Sequence, residues 1–420
     1  MRWITDRLAV GHSGDLRDED RLIREEIGAA VSVAKDLDVP EYQYIKGVKA
    51  GLIAGPGCTG HMLNEAVKTV ENLLKVHHKV IVCGHAMKHR VPIVVASYLA
   101  KSMRMDWDKA FKLTLNKIPE ADPHPFLIDL ARRWFNMVVK AWSKLVSVCI
   151  PVYDRLDLLK RCVKSIRERT EYEYYELIIL DDGSPNPDVY EYIRQVADVA
   201  LRHEKNEGIA KSRNDLIEAA RGEYICFVDS DAVVFPGWLT GLVETLAVHP
   251  KIGIVSALPS SFMNLYVNLG LDEDGLISVE TIFTTCALYR RKIFEIYGGF
   301  DEDLWNMQSD LDFGLRVNAA GEWRMVVNPR VVIYHPRYDE DGHPRSLPEL
   351  RDEKKLFKSL KILKERWGIE HERYKELAAK FGAETEGEEA DQEVLGTEVE
   401  TGSSSETRPS SGSEETETEG

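Results

Sequence analysis

Between residues 144 and about 340, short β-rich apolar runs alternate with stretches whose apolar residues recur at helical spacing. LVSVCIPVYDRLDLLKRCVKSI (145–166) opens with a β-branched strand and passes a proline-containing turn. It continues with Leu158, Leu159, Cys162 and Ile166 on one face of a helix. YELIILDDGSP supplies the next strand, ending in Asp181, Asp182, Gly183 and Ser184, and YICFVDSDA (224–232) supplies a third, running into Asp229, Ser230 and Asp231. Strand, helix and strand in that order predict parallel αβ units, whose ligands gather at the carboxyl ends of the strands. Three acidic strand ends are therefore expected around one crevice. Alternation along a strand would put Asp229 and Asp231 on the same side, where a hard divalent ion relieves their repulsion; the alternative is a turn with solvated acids.

The pieces VSVCIPVYDR, LIILDDGS, NEGIAKSRN (206–214), FVDSDAVVFPGWL, YGGFDEDLWNMQSDLDFGLR (297–316) and VIYHP (332–336) occur in order over roughly two hundred residues. Together they resemble a family-two glycosyltransferase with the GT-A nucleotide-diphospho-sugar transferase fold, an α/β architecture. That resemblance implies a nucleoside diphosphate sugar donor touched by Pro151, Tyr153, Asp154, Asp181, Gly208, Arg213, Asn214 and Asp229. Asp154 and Asp181 match positions facing the base and ribose, where a carboxylate accepts an imide N–H or a hydroxyl. Asp229 matches the ribose-side acid and Asp231 the ligand of a divalent metal, Mn²⁺ or Mg²⁺. His335 matches a second ligand or a diphosphate contact; the other reading is a structural histidine after strand VVIY. Gly208 would let the backbone approach the donor, and Arg213 and Asn214 open the following helix, or all three only shape a loop.

The resemblance also implies a catalytic base. Past Gly298, Gly299, Phe300, Asp301 and Glu302 comes Gln308-Ser309-Asp310, so Asp310 falls at the base position and Ser309 replaces the family's usual Glu. A hydroxyl attacking an anomeric carbon needs a carboxylate within hydrogen-bond reach. Asp310 equally suits the cap of the helix through Leu311 and Leu315. The implied chemistry is a single inverting displacement of hexosyl type, onto an acceptor hydroxyl that the sequence leaves open: polysaccharide, protein, lipid head group or modified nucleic-acid base. Phe262, Met263 and Tyr266 would stack on a sugar or base, or serve a core or lid. A nucleotidyltransferase is the less fitting enzyme, because PVYDRLD lacks a glycine-rich loop. A non-catalytic scaffold binding nucleotide sugar and a phosphorylated ligand is the alternative function.

The first 138 residues follow another pattern. ITDRLAVGHSGDLRDEDRLIREEIGAAVSVAKDL and KVIVCGHAMKHRVPIVVASYLAKSM resemble the start and the phosphate loop of a small α/β dual-specificity phosphatase domain. With Arg90 as anchor, Gly84 stands at the nucleophile position and Cys83 at the preceding histidine; residues 42–64 hold no Asp or Glu to act as general acid. Loss of phosphatase activity is expected. His85, Lys88, His89 and Arg90 around a helix start would keep an anion site.

Composition fits two folded parts in a cytoplasmic protein. The longest apolar run, VPIVVASYLA, is too short to span a bilayer, and the six cysteines show no CxxC spacing or disulfide framework. The formal charge of −16 resides mostly in residues 381–420, whose thirteen acids face one arginine, Arg408. That segment should be a disordered acidic tail. Before it, Leu356, Leu360, Leu363 and Trp367 recur at helical spacing against Lys354, Lys355, Lys358, Lys361, Lys364 and Arg366. The stripe is expected to pack on its own domain; basic amphipathic helices also rest on membranes or nucleic acid. The expected organisation is a phosphatase-like domain at 1–138, the transferase at 144–345, a helical extension at 346–380 and the tail.

Overall fold

The computed structural model describes residues 1–263, 266, 268–304, 308–335, 353–369 and 374–375. The chain forms two compact units, Met1–Leu347 and Pro348–Gly420. The first unit holds two sheets. Strands β1 (Arg2–Trp3), β2 (Leu8–His12), β3 (Ala29–Ala34), β4 (Lys46–Leu52) and β5 (Val80–Gly84) form a five-stranded sheet in the order β1-β2-β5-β3-β4. Its central strands β5 and β3 are buried along their whole length and apolar but for Ser32, as parallel strands between helices must be.

The second sheet has eight strands: β6 (Val146–Val152), β7 (Tyr175–Asp181), β8 (Val199–Arg202), β9 (Tyr224–Val228), β10 (Ile252–Pro259), β11 (Ile277–Val279), β12 (Cys286–Arg290) and β13 (Arg324–Ile333). Their order is β11-β13-β10-β12-β9-β6-β7-β8. β9, β6, β7 and β8 run parallel, so the acids after β6, β7 and β9 leave the sheet on one edge. β12 runs antiparallel between β9 and β10, which makes the sheet mixed. The helix predicted from Leu158, Leu159, Cys162 and Ile166 spans Leu156–Arg169 with those four residues buried. The proline expected in a turn lies inside β6 instead. Pro151 pairs with Leu180 of β7, while pairing with β9 stops at Cys149, so its missing N–H falls where the β9 ladder has already ended.

The two sheets meet through helices. Pro125–Trp142 leads out of the first layer and packs on Trp238–Val248 of the second, and Trp142 touches both cores. Glu244 of the latter helix is wholly buried at this junction. Its carboxylate lies 2.9 Å from Lys101 and 3.2 Å from Lys68, both from the first layer, and Lys101 also pairs with Glu71 at 2.8 Å. Burial alone would push the Glu244 carboxyl up, but Lys101 and Lys68 hold it below the usual range.

In the second unit, the stripe predicted after residue 350 is a helix, Glu353–Trp367, that buries Phe357, Leu360 and Leu363. Phe357 and Leu360 cluster with Leu356 and Tyr374. The acidic segment 381–420 lies outside the described residues.

Candidate functional site

The loop after β6 is the strained part of the crevice. Asp154 and Arg155 both hold left-handed backbone, φ 58° and 59°, a conformation costing non-glycine residues about 1–2 kcal/mol each. The Asp154 N–H donates to Ser184 Oγ at 2.7 Å, which ties this loop to the turn after β7. In that turn Asp181 is fully buried; its Oδ1 accepts from the Ser184 N–H at 2.9 Å, and Oδ2 lies 3.5 Å from Arg202. Gly183, at φ +70°, passes so close to Lys205 that a Cβ would meet its carbonyl carbon at 2.3 Å. Gly208, at φ +99°, caps the helix Ile209–Ala219, and its N–H donates to Asp182 Oδ2 at 2.9 Å.

Asp229 and Asp231 lie in the turn beyond β9, so turn geometry and not strand alternation brings them together. His335, just past β13, completes the group. Its Nε2 is 3.2 Å from Asp231 and 3.8 Å from Asp229, and its Nδ1 is 3.2 Å from Ser261 Oγ. One ligand atom from each of Asp229, Asp231 and His335 falls within 4.8 Å of the others. Two carboxylates and an imidazole at that spacing fit a divalent cation.

Arg213 and Asn214 sit in the second turn of their helix and not at its opening. Arg213 is buried, 4.0 Å from Asp229 and stacked over Phe300, and its Nε has no hydrogen-bond partner among the described residues. Asn214 instead staples the Gly299–Glu302 segment, accepting from the Phe300 N–H at 2.8 Å and donating to Phe300 O at 2.9 Å.

Asp310 is the second residue of the helix Ser309–Ala320; the position before the helix is Gln308, whose side chain makes no capping bond. The expected cap role is therefore not the one Asp310 fills, although its Oδ1 accepts from the Leu311 N–H at 3.0 Å. Burial raises its carboxyl above the ordinary aspartate value, Arg213 opposes that, and Asp229 adds to it. Beside it, Ser309 Oγ, Gln308 Oε1 and Thr284 Oγ1 are buried without hydrogen-bond partners among the described residues. Tyr266 is buried with Leu258, Ile277 and Val327, and so fills a core position, while Met263 is exposed. Residues 305–307 and 336 lie outside the described residues.

In the first sheet, Cys83 lies fully buried one residue before the end of β5, and burial pushes its thiol far up, the opposite of what a nucleophile needs. His85 and Arg90 are both held by Asp36, at 3.0 and 3.2 Å, and Arg90 also donates to Leu52 O at 3.1 Å. His89 reaches the Asp122 carbonyl, and Lys88 is exposed. Sequence reading missed Asp36, because no motif marks an acid so far from the loop it faces. It also missed His203, which bridges Asp182 and Asp215 at 2.6 and 2.8 Å.

The chain is 28% identical over 260 residues to the uncharacterized protein y4gI of Sinorhizobium fredii, covering 54% of this chain and 28% of that protein. It is 28% identical over 219 residues to the O-antigen biosynthesis protein RfbC of Myxococcus xanthus, covering 45% and 17%. With the uncharacterized glycosyltransferase EpsJ of Bacillus subtilis it shares 29% over 227 residues, covering 49% and 63%. The chain thus spans less than two thirds of the length of each of these three relatives. Among solved structures it is similar to the mannosyltransferase PcManGT from Pyrobaculum calidifontis in complex with GDP-Man and Mn²⁺: TM-score 0.44, 20% identity, 59% of this chain and 76% of that one. It is also similar to human DUSP28: TM-score 0.32, 17% identity, 34% of this chain and 100% of that one. None of its described helices is long and apolar enough to cross a membrane. Residues 147–298 match the model of glycosyl transferase family 2, and with the acids at its strand ends this chain carries a glycosyltransferase domain of that family.

Proposed function

We propose that the chain moves a hexosyl group from a nucleoside diphosphate sugar to an acceptor hydroxyl in one inverting displacement. The observation that carries this reading is the grouping of Asp229, Asp231 and His335 within 4.8 Å, with Asp229 also reaching Arg213 and acting on Asp310. In the proposed reaction Asp310 takes the proton of the acceptor hydroxyl. The acceptor oxygen bonds to the anomeric carbon as the bond from that carbon to the diphosphate breaks, releasing a nucleoside diphosphate. An aspartate raised by burial is a stronger base than a solvated one, which suits this role. Asp231 and His335 would hold a divalent cation with Asp229 beside them, and the imidazole favours Mn²⁺ over the harder Mg²⁺. Such an ion would neutralise charge on the leaving diphosphate. Asp154, Asp181 and Gly208, with Pro151 near the end of β6 and Tyr153 on the loop after it, would surround the base and ribose. Arg213 supplies positive charge at the crevice floor, and Asn214 supports the segment leading to Asp310.

We infer further that residues 1–138 form a catalytically silent phosphatase-like half that braces the transferase half at 144–345. Cys83 is buried, Asp36 pairs with two of the expected anion-site residues, His85 and Arg90, and Lys68 and Lys101 supply the counter-charge of Glu244. Six buried free thiols support a reducing, cytoplasmic setting. The test is release of nucleoside diphosphate from a panel of nucleotide sugars with Mn²⁺, for wild type, Asp231→Asn and Asp310→Asn. Turnover that both substitutions abolish supports the reading. Binding of no nucleotide sugar at all overturns it.

A further inference from the structure

His203 stands between the turn after β7 and the helix Ile209–Ala219. Its Nδ1 is 2.6 Å from Asp182 Oδ1 and its Nε2 is 2.8 Å from Asp215 Oδ2. Asp182 does more than pair with it: Oδ1 also accepts the Glu207 N–H at 2.8 Å, and Oδ2 the Gly208 N–H at 2.9 Å. Two backbone amides of the 205–208 loop therefore hang from a carboxylate that His203 orients. Asp215 is held on its other oxygen by Lys211. A histidine between two carboxylates can donate from both nitrogens only as the imidazolium; the neutral ring has one donor and leaves the other carboxylate facing a lone pair.

What hangs from this arrangement matters because of where it lies. Gly208 hangs from Asp182, the residue next to Asp181, Gly183 touches the Lys205 backbone, and Asn206 Oδ1 is buried without a hydrogen-bond partner among the described residues. We propose that His203 is a positioning residue for the nucleotide: as the imidazolium it locks the 205–208 loop against the Asp181–Asp182 turn and so sets nucleotide affinity. This rests on the donor reading above and adds to it a named residue outside the direct contacts.

The charged groups that act on the ring are Asp182 after β7 and Asp215 on the helix, whose other oxygen Lys211 holds; Arg202, Glu204, Lys205 and Glu207 are its neighbours along the chain. Burial would lower the imidazole, but Asp182 and Asp215 overcome that and hold it above its ordinary value of 6.5. The locked form is therefore retained to higher pH than a free imidazole would allow and is lost as pH rises through the raised value.

The experiment measures binding of UDP and of GDP, with Mn²⁺, to the full chain between about pH 6 and pH 9, a span that brackets an imidazole raised from its usual value. Wild type is compared with His203→Gln and Asp215→Asn. His203→Gln is expected to bind about tenfold more weakly at the acid end, the loss of one charge-assisted bond. Wild-type affinity should fall toward that of the variant as pH rises, and the variant should lack this fall. Asp215→Asn keeps the bond to Asp182 but removes one carboxylate, so its fall should begin at lower pH, and it decides the matter if His203→Gln does not fold. A purely structural role would lower the melting temperature and leave the pH profile unchanged, which overturns the proposal. So would a His203→Gln variant that binds as wild type does. If wild type itself binds neither nucleotide, the donor reading fails first and this inference with it.

Discussion

Replacing Lys101 by Met tests the brace between the two layers. Lys101 and Glu244 lie 2.9 Å apart at a position where Glu244 is fully buried and Lys101 is 8% exposed. At an effective dielectric of about 20, unit charges at that distance attract by about 6 kcal/mol. Removing Lys101 also removes its own desolvation cost, and Lys68 remains 3.2 Å from Glu244, so the net loss is expected to be about 3 kcal/mol, the lower end for a broken buried pair. In a unit of this size that lowers the melting temperature by roughly 5 °C. The pH dependence sharpens the test. In wild type the Glu244 carboxyl is depressed, so its contribution is present above the unfolded value of 4.5 and is lost as pH falls through the folded one. In the variant only Lys68 is left to offset burial, so Glu244 moves up and the neutral acid is better tolerated; Glu71, already raised by burial, moves the same way. The stability gap between variant and wild type should therefore narrow from about pH 7 to about pH 5, followed by denaturant unfolding at each pH. Lys68→Met, Lys101→Met and Glu244→Leu combined should recover most of the loss. A gap below about 1 kcal/mol, or one that does not change with pH, would refute the reasoning.

Asp310→Asn should cut nucleoside diphosphate release by about 10²–10⁴-fold, the usual worth of a general base, yet raise the melting temperature at neutral pH. The sign follows from the raised Asp310 carboxyl: ionising it in the folded state costs stability above the ordinary aspartate value, and Asn has nothing to ionise. For the same reason the acid limb of the wild-type rate should lie above 3.8, read from initial rates across pH. His335→Ala and Asp231→Asn should each weaken Mn²⁺ binding by at least about tenfold, measured by titration of the full chain with the metal, and chelation should remove activity reversibly. Native protein should show almost no thiol reactive toward a disulfide reagent and six after denaturation, and no hydrolysis of an aryl phosphate, because all six cysteines are buried.

The local pattern determined a good deal. The apolar runs at 146–152, 175–181 and 224–228 became adjacent parallel strands because a run apolar on both faces is stable only inside a covered sheet, and consecutive αβ units place such strands side by side. Acids written at or just after the ends of those runs had to emerge on one edge, which is why Asp154, Asp181, Asp229 and Asp231 were legible as a candidate site. The helix through Leu158 and Cys162 was equally plain from its spacing. Pro151 was misread as a turn because local propensity cannot register that the neighbouring ladder stops two residues earlier. What remained hidden were partnerships between distant segments. Asp36 meets Arg90 only across the first sheet, and the counter-ions of Glu244 come from helices of the other layer, whereas His335 was set beside Asp231 beforehand by the family resemblance and not by local pattern. His203 acquires its role only once a turn and a helix bring Asp182 and Asp215 to its two nitrogens. Periodicity records which side of an element avoids water; the partner of a buried charge is chosen by packing, and so the tertiary structure alone decided it.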